Sequence, residues 1–379
     1  MRLRSINVKL GGAMLLALVA GACNRSGVKE APITGKAGDP PVTMKAAWQA
    51  GKRYIYRVET TTSSQVPRKN TGKIIQAGFT LGQDLAFSIT NAAPDGSRVL
   101  NMEVLAVQME TARDDGVTMS FDSENKVMQV EDSPLVDRLR KLVGLKLAFH
   151  VSSDNKVTRV DGAKELNNRM SGSGSIRGMA GAVLNGHFNQ QFFRDIVEMG
   201  MLPNDPVKVG DTWTVSRQGS GGLRGSSVTM DLTYKFRGWQ RREGTNCARL
   251  DFTGTFKPNT ASRTNQPPPR RTGNAAGPPG GEEGTLTGQS WFDPELALAV
   301  ETTYEQSITT KSTTVRRTRT KTDTNDVSAD PALSLTNDPP PTAAPTNSPD
   351  QTVTTSTTTS QQQTSVKLLE IEPLEKQTP

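Results

Sequence analysis

From Arg53 onward, apolar residues fall at every second position, a period that admits strands and little else. Tyr54, Tyr56 and Val58 share one side, with Arg53, Arg57 and Glu59 among the charges beside them. A strand sends successive side chains to opposite faces, so one face is greasy and the other wet. Leu85, Phe87 and Ile89 repeat the pattern, and Pro94-Asp95-Gly96 is a turn. Val99, Met102, Val104 and Ala106 then form a long strand, which closes a hairpin. Residues 116–121 and 146–151 continue the alternation, and Asp154-Asn155 turns the chain into a short strand over 156–160.

A second series begins near residue 207 and echoes the first. QAGKRYIY (49–56) matches KVGDTWTV (208–215). The strand, Asp-Gly turn and long strand of 83–109 recur over 228–256, with the turn at Arg242-Glu243-Gly244-Thr245. Ser120-Phe121-Asp122 resembles Trp291-Phe292-Asp293. The body, residues 46–322, is therefore α+β and mainly antiparallel β. Its two related halves, about eight to eleven strands in all, form a curved sheet or incomplete barrel with helices packed on one face, as one domain or two joined lobes.

The helical insert spans about 132–202. Leu135, Leu139 and Leu142 share a helical face behind Pro134, with Asp132 or Ser133 as cap. Over 176–201, Met179, Val183, Leu184, Phe188, Phe192, Ile196 and Met199 return every three to four residues, and a break is expected near Gly186. This stripe reads in two ways. It caps the sheet as plain core, or with the sheet it encloses an apolar cavity. In the second case Met179, Val183, Leu184, Phe188, Phe192 and Ile196 line the space for a hydrophobic or lipid ligand.

The N-terminus reads as an export signal. Residues 1–10 carry Arg2, Arg4 and Lys9, and residues 11–22 are a short apolar run ending in small residues. That run is too short to span a bilayer, which takes roughly 20 residues. Its end, Val19-Ala20-Gly21-Ala22-Cys23, resembles the bacterial lipobox, with Ala20 where Leu is usual. The resemblance implies a signal peptide over 1–22, cleavage before Cys23, and acylation of its thiol and amine. Each buried methylene adds ~0.8 kcal/mol, so two or three chains make a membrane anchor where one does not. Asn24 after the cysteine favours the outer membrane of a double-membrane cell by the same resemblance. Processing lowers the formal charge from +7 to +4. No basic stripe is interleaved with aromatics, so nucleic acid is a poor partner, and anionic lipid or wall polymer a better one. With Cys23 acylated, Cys247 has no disulfide partner.

Apolar residues make up only 34% of the chain, and the shortage is local. Residues 23–45 hold three prolines without a hydrophobic period and read as a flexible, lipidated tether. Residues 257–285 read as a mobile hairpin loop, and 323–362 as a disordered low-complexity segment. Residues 363–373 regain Val366, Leu368, Leu369 and Ile371, and read as a final edge strand antiparallel to 300–320. Arg316, Arg317, Arg319 and Lys321 either protect that edge or meet phosphate or wall polymer.

The order of elements, with Trp291-Phe292-Asp293-Pro294-Glu295-Leu296-Ala297-Leu298-Ala299-Val300 leading into Glu301-Thr302-Thr303-Tyr304, resembles the LolA-like envelope proteins. In those, helices close an incomplete antiparallel barrel around a lipid-sized hollow. The Gly-Asp-x-Trp (210–213) and Trp-Phe-Asp (291–293) strand starts resemble an uncharacterised family of bacterial lipoproteins, which lends no function.

Catalytic chemistry finds no purchase. His150 and His187 lack ligand partners at metal spacing, Cys247 reads as a small buried hydrophobe, and GSGGLRG (219–225) reads as a loop. No serine has an identifiable base. The chain is thus expected to be no enzyme and to need no cofactor. It is expected to be an envelope lipoprotein that holds a hydrophobic ligand, or alternatively a filled-core protein contacting envelope proteins or wall polymer. A connected apolar cavity separates the two.

Overall fold

The computed structural model describes residues 30–67, 74–114, 116–125, 133–170, 179–221, 226–258, 282–317 and 351–374. Cys23, the signal segment 1–22 and the stretch 323–350 lie outside the described residues. So do most of the loop 257–285 and the side chains of Met179, Val183, Arg316 and Arg317.

The strands are β1 (Lys52–Pro67), β2 (Ile74–Ala92), β3 (Arg98–Arg113), β4 (Gly116–Asp122), β5 (Lys146–Val151) and β6 (Val157–Asp161). After the helices come β7 (Thr212–Gly221), β8 (Ser226–Arg242), β9 (Thr245–Pro258), β10 (Glu282–Asp293), β11 (Leu298–Arg317) and β12 (Gln351–Pro373). The helices are α1 (Pro134–Leu142), α2 (Ala163–Met170), α3 (Met179–His187) and α4 (Gln190–Glu198).

All twelve strands join one curved, unclosed antiparallel sheet in the order β6-β5-β3-β2-β1-β12-β11-β10-β9-β8-β7, with β4 on the free part of β3. Local turns make each half a meander. At the β2–β3 turn Gly96 sits at φ 83°, and Asp95 Oδ1 accepts from the Ser97 amide at 2.8 Å. The β8–β9 turn puts Glu243 and Gly244 at φ 49° and 94°, the two positive values that a tight hairpin needs.

The last strand lies at the centre. β12 pairs with β1 from Lys52↔Pro373 to Ser64↔Ser360, and with β11 from Glu301↔Lys367 to Arg317↔Gln351. The antiparallel match to β11 agrees with the sequence reading, but the edge position does not. Residues 351–362, read as disordered, are paired strand throughout. Low apolar content argued for disorder, yet threonine is β-branched and suits a pleated surface. Thr60 and Thr364, both buried, meet across the seam with hydroxyls 3.1 Å apart.

The tether reading of 23–45 also fails within the described residues. Thr34 and Trp239 exchange amide–carbonyl bonds of 2.7 Å in both directions, and Val42 does the same with Val207 at 2.8 and 3.0 Å. Met44, Ala46 and Trp48 are buried at alternate positions, and Trp48 Nε1 donates to the Val197 carbonyl at 3.2 Å. Proline and glycine suggested a linker, but the alternation at 44–48 extends the β pattern before Arg53. At Gly238, φ is 128° and a Cβ would stand 2.2 Å from the Thr34 carbonyl oxygen, so this docking requires glycine.

α1 matches its expected span, with Ser133 Oγ accepting from the Val136 amide at 3.2 Å. α2 was not expected: Leu166 is its one buried residue, too little for a visible stripe. The long helical stripe divides at Phe188-Asn189, near Gly186 as expected. Asn189 Oδ1 accepts from the Phe192 amide at 2.9 Å, so capping sets the break. Leu139, Leu166, Leu184, Phe193 and Val197 of the four helices, with Phe188 at the α3–α4 break, share one apolar cluster with Tyr54, Phe87 and Leu100 of the sheet. Leu298, Ala299 and Leu368 extend that cluster into the second half, which otherwise holds smaller clusters of its own.

α4 touches both outer strands. Arg194 donates to the Val157 carbonyl at 2.7 Å, and Glu198 accepts the Val157 amide at 2.7 Å, on β6. Asp195 faces Arg217 of β7 at 3.9 Å.

Candidate functional site

A hollow of about 180 Å³ lies between α3–α4 and the strands that face them. Phe192 and Ile196 come from α4, Met199 and Met201 from the chain just after it, and Met230 and Phe252 from β8 and β9. Its polar members include His187 at the end of α3, Gln191 and Asp195 one turn apart on α4, and Arg217, Tyr304, Gln306 and Gln362 from the sheet.

Two of the six residues expected to line a cavity, Phe192 and Ile196, do so. Leu184 and Phe188 do not: they are 1% and 2% exposed and belong to the main core. The purely apolar edge of the helical stripe packs on protein, and the hollow faces its mixed edge. Met179 and Val183 have side chains outside the described residues.

A charged pair occupies one wall. Trp213, Val215 and Arg217 alternate along β7, which turns the guanidinium toward the hollow. Burial works against its charge, but the field of Asp195 and of the tyrosines Tyr234 and Tyr304 outweighs that, and its pKa lies above the ordinary value. Burial raises the pKa of Asp195, against the pull of Arg217 and a 2.9 Å bond from Gln191 Nε2. Arg217 Nε is buried with no partner among the described residues.

A neutral relay occupies another wall. Gln306 Nε2 donates to Gln362 Oε1 at 3.0 Å, which leaves Gln362 Nε2 facing His187 Nε2 at 3.0 Å. An amide nitrogen only donates, so His187 Nε2 accepts and the ring hydrogen sits on Nδ1. That Nδ1 is buried without a partner among the described residues. His187 packs edge-on against Phe192, with ring centroids 4.9 Å apart.

Burial pushes the His187 pKa down to about 4, below its ordinary 6.5. The folded state therefore refuses a proton that the unfolded chain accepts. Stability is whole above about pH 6.5 and falls as the pH drops toward 4, by about 3 kcal/mol for a shift of this size. Urea unfolding at pH 7 and pH 4.5 should show this loss, and His187→Gln should flatten it; an equal slope in the variant would remove His187 as its source.

Elsewhere, His150 Nε2 lies 2.8 Å from Asp161 Oδ2 and 3.0 Å from Arg159 Nη2, an acidic neighbour not expected from the sequence. Cys247 is buried, and burial raises its thiol to about 12. Among the described residues no three potential ligands gather to hold a metal ion, and no helix is long and apolar enough to cross a membrane.

Residues 95–268 match a family of unknown function, DUF6263. The match covers less than half of the chain, from the β2–β3 turn to ten residues past β9, and takes in the four helices of the described residues and Arg217. No curated protein matches the chain. Among solved structures, one described as "Lipid-protein interactions in lipovitellin" is similar over 88% of this chain at 9% identity, with a TM-score of 0.43. The match covers 26% of that protein, so the chain spans about a quarter of its length.

Proposed function

We propose that this chain is a non-enzymatic envelope lipoprotein, anchored through acyl chains on Cys23, that holds a hydrophobic ligand between α3–α4 and one face of the sheet. The observation that carries this reading is the hollow itself. A filled-core scaffold has no use for Phe192, Ile196, Met199, Met201 and Met230 around open space. Flexible methionines suit a wall that adapts to chains of variable shape. At about 180 Å³ the space falls below the ~300–1,000 Å³ of pockets that enclose drug-sized ligands. The helices that cover it are short and break at Phe188-Asn189, which suits a wall that yields as a chain enters.

Native mass spectrometry of the full-length protein, released from bacterial membranes, tests both parts. The covalent mass should begin at Cys23 with acyl chains added, and gentle activation should release a bound lipid. In Cys23→Ala the acyl mass should vanish while the lipid stays. A mature mass without acyl chains overturns the anchor. A clean apo protein overturns the carrier and leaves the interaction protein.

A further inference from the structure

We infer that the ligand is a single-chain amphiphile with an anionic, acceptor-only head, a fatty carboxylate in chemical class, whose head is received by Arg217. This rests on the carrier reading above and names its substrate.

The argument begins with what the lining lacks. Two residues of it, Arg217 and His187, each keep one nitrogen, Nε and Nδ1, buried without a partner among the described residues. Both are donors. Arginine has no acceptor, and the relay Gln306→Gln362→His187 places the imidazole hydrogen on Nδ1. A buried donor left unpaired is costly, so a ligand that restores the balance must bring acceptors. A carboxylate does only that, and its two oxygens match the guanidinium fork. An alcohol spends part of its capacity as a further donor.

Asp195 does not already fill this role. Its Oδ2 stands 3.9 Å from Arg217 Nη1, beyond hydrogen-bond reach, and its Oδ1 is taken by Gln191. It compensates the cation without occupying the fork. The rest of the wall is apolar, with Phe192, Ile196, Met230, Phe252 and Leu286, and that suits a tail. The volume argues for one tail. A hollow of about 180 Å³ must widen for one chain, and much further for the paired chains of a membrane phospholipid.

Calorimetric titration of the full-length chain with dodecanoate, dodecanol and a diacyl phosphatidylglycerol, each below its aggregation limit, tests this. Dodecanoate should bind at least about tenfold tighter than dodecanol, as one charge-assisted bidentate contact provides. Arg217→Gln should bring the two to near parity by weakening the acid alone, and Asp195→Asn should widen the gap. Arg217→Lys, which keeps the charge without the fork, should fall between wild type and Arg217→Gln, and replaces it if that variant misfolds. Equal affinity for acid and alcohol in the wild type, or a preference that survives Arg217→Gln, overturns the head assignment and leaves the carrier standing. Tighter binding of the diacyl lipid overturns the single tail. Binding of none of the three probes overturns this assignment together with the carrier reading on which it rests.

Discussion

A chain ending at residue 350 should lose its cooperative unfolding transition. β12 is hydrogen-bonded to β11 over 351–367 and to β1 over 360–373, and no other strand among the described residues joins the two meanders. Its removal leaves two open edges and takes Leu368 from the main core and Gln362 and Val366 from the wall of the hollow. The loss is therefore structural, spread over backbone and side chains, and larger than any single substitution here. Near-UV circular dichroism with urea titration should show a broad or absent transition. The full-length Thr364→Pro variant gives a milder form. Thr364 is wholly buried between Thr60 and Tyr304, and proline cannot donate to a central ladder. A truncated protein that melts within a few degrees of the parent would show that β12 merely decorates a sheet that stands without it.

Trp291→Ala should destabilise the fold by ~3–5 kcal/mol, the range for emptying a large aromatic site. The ring is 2% exposed, and its Nε1 donates to Gln240 Oε1 at 2.7 Å. Gln240 in turn donates to the Ala31 carbonyl at 2.7 Å, so the indole holds the amide that holds the N-terminal segment. Arg242 lies over the ring, 4.2 Å from its centroid, while making two bonds of 2.7 and 2.8 Å to Glu301. Trp291→Phe should recover the packing and still cost about 1 kcal/mol, because Gln240 Oε1 keeps only a 3.5 Å bond from Arg249 Nη1. Urea midpoints at constant slope measure both. A melt unchanged in the alanine variant would mean that the ring contributes no core packing.

The parts of this fold that the sequence announced are those that nearest neighbours determine. Tyr54, Tyr56 and Val58 are buried at alternate positions because a half-buried strand demands it. α1 declares itself through Ser133, Pro134 and its leucines. What stayed hidden depends on distant pairing. Gln306 and Gln362 form a relay only because β11 and β12 lie in register, and neither residue signals this locally. Thr354–Thr359 resemble linker until β11 pairs with their backbone. Arg217 escaped the sequence reading, although a charge at an inward position after Trp213 and Val215 is a local signal. Phe192 and Ile196 were found because apolar periodicity reaches the wall of the hollow. Leu184 and Phe188 were misplaced because the same periodicity also serves the core.

The central place of the last strand also governs when the sheet can exist. A chain emerges N-terminus first, so β1 and β11 must wait, each with one bare margin, until the final segment arrives. A bare margin of valine and isoleucine would recruit other copies during that wait. Here long stretches of the waiting rows are hydroxyl-rich, Thr60, Thr61, Thr62, Ser63 and Ser64 on one side and Thr309, Thr310, Lys311, Ser312 and Thr313 on the other. Such rows stay hydrated while unpaired and still accept a strand once it comes. The hydroxyl-rich seam is thus how a sheet completed from its far end keeps company with water until closure.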